Sequence, residues 1–87
     1  MSERLKKGYL QWRCRRGTKE LDVILNFFLD MRYDYLTNIE LQNFDELLNS
    51  QDTILWYWLS GQKQPDEKLV RDLVANIRKV KELNAED

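Results

Sequence analysis

The sequence contains no histidine. That removes the side chain whose ordinary pKa lies nearest neutrality. With it go imidazole general-base catalysis, Ser-His and Cys-His nucleophile pairs and the commonest transition-metal ligand. Cysteine occurs once, at Cys14, so no intramolecular disulfide and no cysteine metal cluster can form, which fits a reducing compartment. There is one proline and there are three glycines, which leaves few forced breaks in a helical pattern. No apolar run approaches the roughly 18 residues that read as a membrane-spanning helix. The opening Met1-Ser2-Glu3-Arg4 lacks the apolar stretch of a secretion signal and carries an acidic residue where a transit peptide avoids one. The net charge of −1 gives no bulk attraction to nucleic acid or anionic lipid. The catalytic equipment that remains is carboxylates, lysine, tyrosine and one thiol. We expect a protein that is not an enzyme, with no catalytic residue, no metal site and no nucleic-acid partner.

What is present fits a small helical domain. Eighty-seven residues make one domain, expected to span residues 1–87 with an ordered core from about 3 to 83. A chain of this size buries only about 60–65 % of its unfolded surface. Three Trp, four Tyr and three Phe fill a small core efficiently. A third of the residues are charged, as expected of a soluble protein. Stretches alternating with β-branched residues are missing, so no sheet is expected.

The hydrophobic spacing predicts five helices. The first runs from Ser2, as N-cap with Glu3 in its first turn, to about Arg13, with Leu5, Tyr9 and Trp12 on one face. The second is capped by Thr18 or Gly17, with Glu20 and Asp22 complementing its positive end. Its inward stripe is Leu21, Ile24, Leu25, Phe28 and Leu29, widened by Val23 and Phe27, and it fades near Arg32-Tyr33-Asp34. The third opens on the capping box Thr37-Asn38-Ile39-Glu40 and turns Leu41, Phe44, Leu47 and Leu48 inward. A short fourth helix is capped by Asp52 and ends at Leu59, with Gly61 at its C′ position. Ile54, Leu55, Trp58 and Leu59 point inward there, and Trp56 or Tyr57 reaches the surface. The fifth begins near Pro65-Asp66 and carries the stripe Leu69, Val70, Leu73, Val74, Ile77 and Val80; Lys68, Arg71, Asp72, Arg78, Lys79, Lys81 and Glu82 mark its wet side. Residues 84–87 are expected to fray. Connections of a few residues between five helices make a compact all-α five-helix bundle.

Several groups invite a functional reading. Arg13-Cys14-Arg15-Arg16 has the charge of a phosphate-binding patch, but no second basic face accompanies it. Cys14 between cations would be an activated thiol if exposed, or a small half-buried helix residue if not. Asp45-Glu46 and Asp66-Glu67 are adjacent carboxylates, and neighbouring helix positions do not face each other. Trp56-Tyr57-Trp58 reads as core plus rim, with partner anchor as the alternative. Arg16, Gly17 and Glu20 remain. Each is locally explicable, as a helix-end arginine, a loop glycine and a first-turn glutamate. Together they also fit a protein-docking surface, in which glycine permits close backbone approach and the two charged groups register a partner.

The run Trp12-Arg13-Cys14-Arg15-Arg16-Gly17-Thr18-Lys19-Glu20-Leu21-Asp22 resembles the succinate dehydrogenase assembly factors, also called flavinators or the RGxxE family. Phe27-Phe28, Tyr33-Asp34-Tyr35-Leu36, Phe44-Asp45-Glu46-Leu47-Leu48, Asp52, Trp58-Leu59 and Pro65 follow in the family's order, and the likeness covers roughly residues 4 to 80. The resemblance implies a five-helix bundle that binds the flavoprotein subunit of succinate dehydrogenase, and in bacteria that of fumarate reductase. It implies that the chain promotes covalent attachment of FAD to a histidine of that subunit. FAD is then the client's cofactor, with none held stably by this chain. The partner-binding role carries over to Arg16, Gly17 and Glu20, with Arg13, Arg15 and Asp22 on the same edge. A bacterial cytoplasmic chain, monomeric when free, is expected. An antitoxin-like or regulatory interaction module is the other class of small helical binder that fits.

Overall fold

The computed structural model describes residues 4–85, with side chains described through Val80. The expected cap at Ser2, the wet positions Lys81 and Glu82, and part of the tail lie outside those residues or side chains. Among the described residues there are five α-helices and no strand: α1 (Lys7–Arg13), α2 (Lys19–Arg32), α3 (Asn38–Leu47), α4 (Asp52–Leu59) and α5 (Lys68–Ala85), with a 3₁₀ turn at Tyr33–Tyr35 between α2 and α3. None is long and apolar enough to cross a membrane.

Helix α2 is the centre of the bundle. It packs against α1, α4 and α5, and Leu21, Leu25, Phe28 and Leu29 are almost wholly buried. Phe28 meets Phe44 of α3 at 5.5 Å between ring centroids, tilted by 37°, which locks the third helix to the second. Leu10 and Cys14 enter from the α1 side, Leu55 and Leu59 from α4, and Ile77 and Val80 from α5. The expected capping box forms in full: the Thr37 hydroxyl accepts from the Glu40 amide at 3.1 Å, and the Glu40 carboxylate accepts from the Thr37 amide at 2.8 Å. Gly61 ends α4 at φ +85°. The Gly61 amide donates to Trp58 O and the Gln62 amide to Tyr57 O, the paired bonds of a Schellman motif.

Several expectations fail for identifiable reasons. Helix α1 begins at Lys7, not Ser2, because the chain ahead of it is engaged elsewhere. The Arg4 guanidinium donates to Leu36 O at 2.8 Å and to Tyr33 O, and lies 4.6 Å from the Tyr33 ring centroid. The Tyr33 hydroxyl in turn donates to Leu5 O at 2.5 Å. The inward face of this shorter helix is Leu10 and Cys14, four apart, which turns Tyr9 and Trp12 outward; Trp12 is 70 % exposed. Val23 and Ile54 are exposed as well. Each stands about 100° around its helix from a buried neighbour, Ile24 or Leu55. Helix α5 starts at Lys68 rather than near Pro65-Asp66. Arg71 donates to the carbonyls of Pro65 and Asp66 just ahead of it. Leu69, in its first turn, rims a surface groove with Val70, Asp45 and Glu46 instead of entering the core. Tyr57 is the exposed member of the aromatic trio, and Trp56 and Trp58 are half-buried.

Candidate functional site

The connection from α1 to α2 makes a corner at Arg16–Glu20. Cys14 closes α1, with its amide donating to Leu10 O and Gln11 O. Thr18 opens α2, its hydroxyl accepting from the Leu21 amide at 3.4 Å. Between these caps the Arg16 backbone N–H donates to the Asp22 carboxylate, which braces the corner against the first turn of α2.

The Arg16 side chain turns into the molecule. Nε donates to Asp52 Oδ1 at 2.7 Å, Nη1 to Leu48 O at 2.8 Å and Nη2 to Ser50 O at 2.7 Å. The two carbonyls lie where α3 gives way to the α3–α4 connection, and Leu48 O is among those that a helix end leaves without an internal partner. The second Asp52 oxygen accepts the Gly17 N–H at 2.8 Å. One carboxylate thus holds two consecutive residues of the corner through charge-assisted bonds. Arg16 and the Gly17 amide hold the Asp52 carboxyl below its ordinary value.

This geometry changes the reading of three residues. Arg16 does not offer an open donor fork: its side chain is only 15 % exposed and three of its N–H groups are committed within the chain. Gly17 is exposed, yet its lack of a side chain serves an internal contact. A Cβ there would stand 2.8 Å from Asp52 Oδ2, and its φ is not positive. Asp52 is not the N-cap of α4. Gln51 occupies that position and Asp52 is the first helical residue, with its carboxylate aimed back at the corner.

The remaining candidates separate into inward and outward groups. Arg13 is inward: Nη1 reaches Asp45 O at 2.9 Å and Asp45 Oδ1 at 2.7 Å, and Nη2 reaches Asn49 Oδ1 at 2.7 Å. Burial works against its charge, and its bonds to Asp45 and Tyr9 outweigh that and raise its pKa. Asp22 is half-buried under the Arg16 amide. Arg15 is exposed and borders a surface groove with Gln11, Trp12 and Asn26. Glu20 is exposed, and no hydrogen bond or ion pair joins its carboxylate to a described residue. Cys14 is wholly buried, and burial pushes its thiol up to about 12 despite the neighbouring arginines. Its side chain is core, not a nucleophile.

Asp52 and Asp45 were missed as site residues, and so was the pairing of each with an arginine more than 30 positions away. Their one sequence cue is charge: three arginines crowd residues 13–16, more than the end of one short helix requires, and such a cluster needs acceptors from elsewhere.

A family model described as "Flavinator of succinate dehydrogenase" matches residues 9–81. The FAD assembly factor SdhE of Legionella pneumophila (strain Lens) is 42 % identical over 72 residues, covering 83 % of this chain and 90 % of the relative. That of Coxiella burnetii (strain RSA 493 / Nine Mile phase I) is 34 % identical over 85 residues, covering 98 % of this chain and all of the relative. That of Methylococcus capsulatus (strain ATCC 33009 / NCIMB 11132 / Bath) is 38 % identical over 72 residues, with 83 % and 87 % covered.

Proposed function

Because the chain belongs to the family of flavinators of succinate dehydrogenase, we propose that it binds the flavoprotein subunit of that enzyme and promotes covalent attachment of FAD to it. The observation that carries this reading is the corner itself. It is an outward carboxylate, Glu20, on a helix start beside an exposed glycine, anchored from behind by Arg16 and Asp52. Such a surface registers another polypeptide and performs no bond chemistry.

The helper is not an enzyme in this reading. The flavin-accepting histidine belongs to the client, in keeping with a chain that has none. FAD stays the client's cofactor: no strand leads into a glycine-rich phosphate loop among the described residues. The chain acts as a monomer in the bacterial cytoplasm, and the flavoprotein subunit of fumarate reductase is a second client. The helper accelerates attachment by holding the client's domains so that flavin and histidine are aligned. Positioning of this kind is worth several kcal/mol, within the ~7–11 kcal/mol that well-oriented reactions gain.

The test is co-expression of a succinate dehydrogenase flavoprotein subunit with and without this chain, reading covalent flavin by in-gel fluorescence. The wild-type chain raises the signal, and Glu20→Ala, which removes an exposed carboxylate with no partner among the described residues and leaves the fold intact, lowers it. Attachment that is independent of the chain rejects the function, and full attachment with Glu20→Ala rejects the corner. Gly17→Arg is a poorer probe, since its Cβ alone collides with Asp52 and disturbs anchor and surface together.

A further inference from the structure

We propose that Asp52 is a positioning residue for client binding, and that Arg16 acts on the client through this carboxylate and not by direct contact. The inference rests on the functional reading above.

The corner is suspended between two carboxylates. Asp22, six positions on, takes the Arg16 amide and shapes the turn locally. Asp52, on a different helix, takes the Arg16 guanidinium and the Gly17 amide. It is the side chain that ties the corner to the far side of the bundle. An arginine reaching outward to a partner would abandon Asp52 together with the carbonyls of Leu48 and Ser50. That would leave three acceptors to find water in a region where the arginine side chain is only 15 % exposed. The cost of breaking a largely covered charge pair favours the inward position. Of the two charged members of the motif, the one left to meet a client is Glu20. Its direction is set by the first turn of α2, which starts one residue after Gly17 and Thr18 have been placed. Freeing Gly17 from Asp52 lets that start tilt, so Glu20 samples orientations the client does not accept. Binding then loses the benefit of a preformed surface.

The experiment titrates the purified chain against a succinate dehydrogenase flavoprotein subunit carrying non-covalent FAD, using Asp52→Asn, Glu20→Ala and the double variant. Leu73→Ala serves as a control for general destabilisation. Asp52→Asn is expected to keep its helical circular dichroism, to melt at lower temperature and to bind about tenfold more weakly, the size of loss a misplaced interfacial charge produces. With Glu20 already removed, the same substitution has little further effect, because the two residues act in series. Saturating concentrations of Asp52→Asn restore the rate of flavin attachment. Leu73→Ala, at matched melting temperature, binds as wild type. Arg16→Lys keeps the charge but cannot reach three acceptors; it shows the same loss and the same dependence on Glu20, and it carries the test should Asp52→Asn not fold. Normal binding by a folded Asp52→Asn beside weakened Glu20→Ala overturns this inference alone. So does a loss that multiplies independently with that of Glu20→Ala, or an equal loss in Leu73→Ala. A wild-type chain that does not bind the subunit overturns the functional reading and this inference together.

Discussion

Arg16 and Asp52 illustrate how a motif can be visible while its physics is not. The positions of Arg16, Gly17 and Glu20 stand out in the sequence, because nothing in core building calls for them. What Arg16 and Gly17 contact is a residue 36 positions from the arginine, and no local spacing rule reaches that far. The capping role expected for Asp52 was reasonable on local grounds, since aspartate favours helix starts. A nearby guanidinium outbid it for the carboxylate. The pairing has a proton-linked signature. A carboxyl whose folded pKa lies below its unfolded value contributes stability that is present above the unfolded value and lost as pH falls through the folded one. Asp52 is such a group, lowered from 3.8. Asp52→Asn is therefore expected to reduce stability most at neutral pH, with the gap to wild type closing as pH drops below about 4. Urea denaturation at several pH values measures this; a constant gap down to strong acid contradicts the assignment.

At the scale of elements, the most legible features were those with a chemical mechanism written locally. Thr37 and Glu40, three apart, form the capping box, and Gly61 falls where α4 ends and takes the backbone conformation that side chains resist. The least legible was α1. Leu5, Tyr9 and Trp12 gave a plausible stripe, but three residues define a face weakly, and the engagement of Arg4 and Leu5 with the 3₁₀ turn removed the first turn altogether. Leu69 lies at a buried angle of α5 yet faces an open groove against α3 and stays exposed, something periodicity cannot register. Gly61→Ala is expected to cost about 1–2 kcal/mol from the left-handed backbone, and the Arg78 guanidinium, whose Nη2 lies 2.7 Å from the added methyl position, must swing aside to admit it. Thr37→Ala is expected to cost about 1 kcal/mol. Urea midpoints test both values, and a Gly61→Ala variant as stable as wild type contradicts the helix-stop account.

For the whole molecule, stability rests on α2 and its partners. Phe28→Ala removes a ring that is 1 % exposed and packed at a tilt against Phe44. It is expected to cost about 3–5 kcal/mol, a large share of the roughly 5–15 kcal/mol that domains possess. Trp12→Ala, at a position the sequence pattern assigned to the core, is expected to stay within about 0.5 kcal/mol of wild type. Thermal unfolding followed by circular dichroism separates the two, and a Trp12→Ala variant as unstable as Phe28→Ala contradicts the exposed placement. The guanidinium groups of Arg4, Arg13 and Arg16 each reach forward by 29 to 36 positions, so these three side chains find their acceptors in residues 33 to 52. On the ribosome, the stretch bearing Arg16, Gly17 and Glu20 emerges early and waits. Its grip is completed only when Asp52 has left the exit tunnel, and a nascent chain halted before that point carries the letters of the motif without its shape.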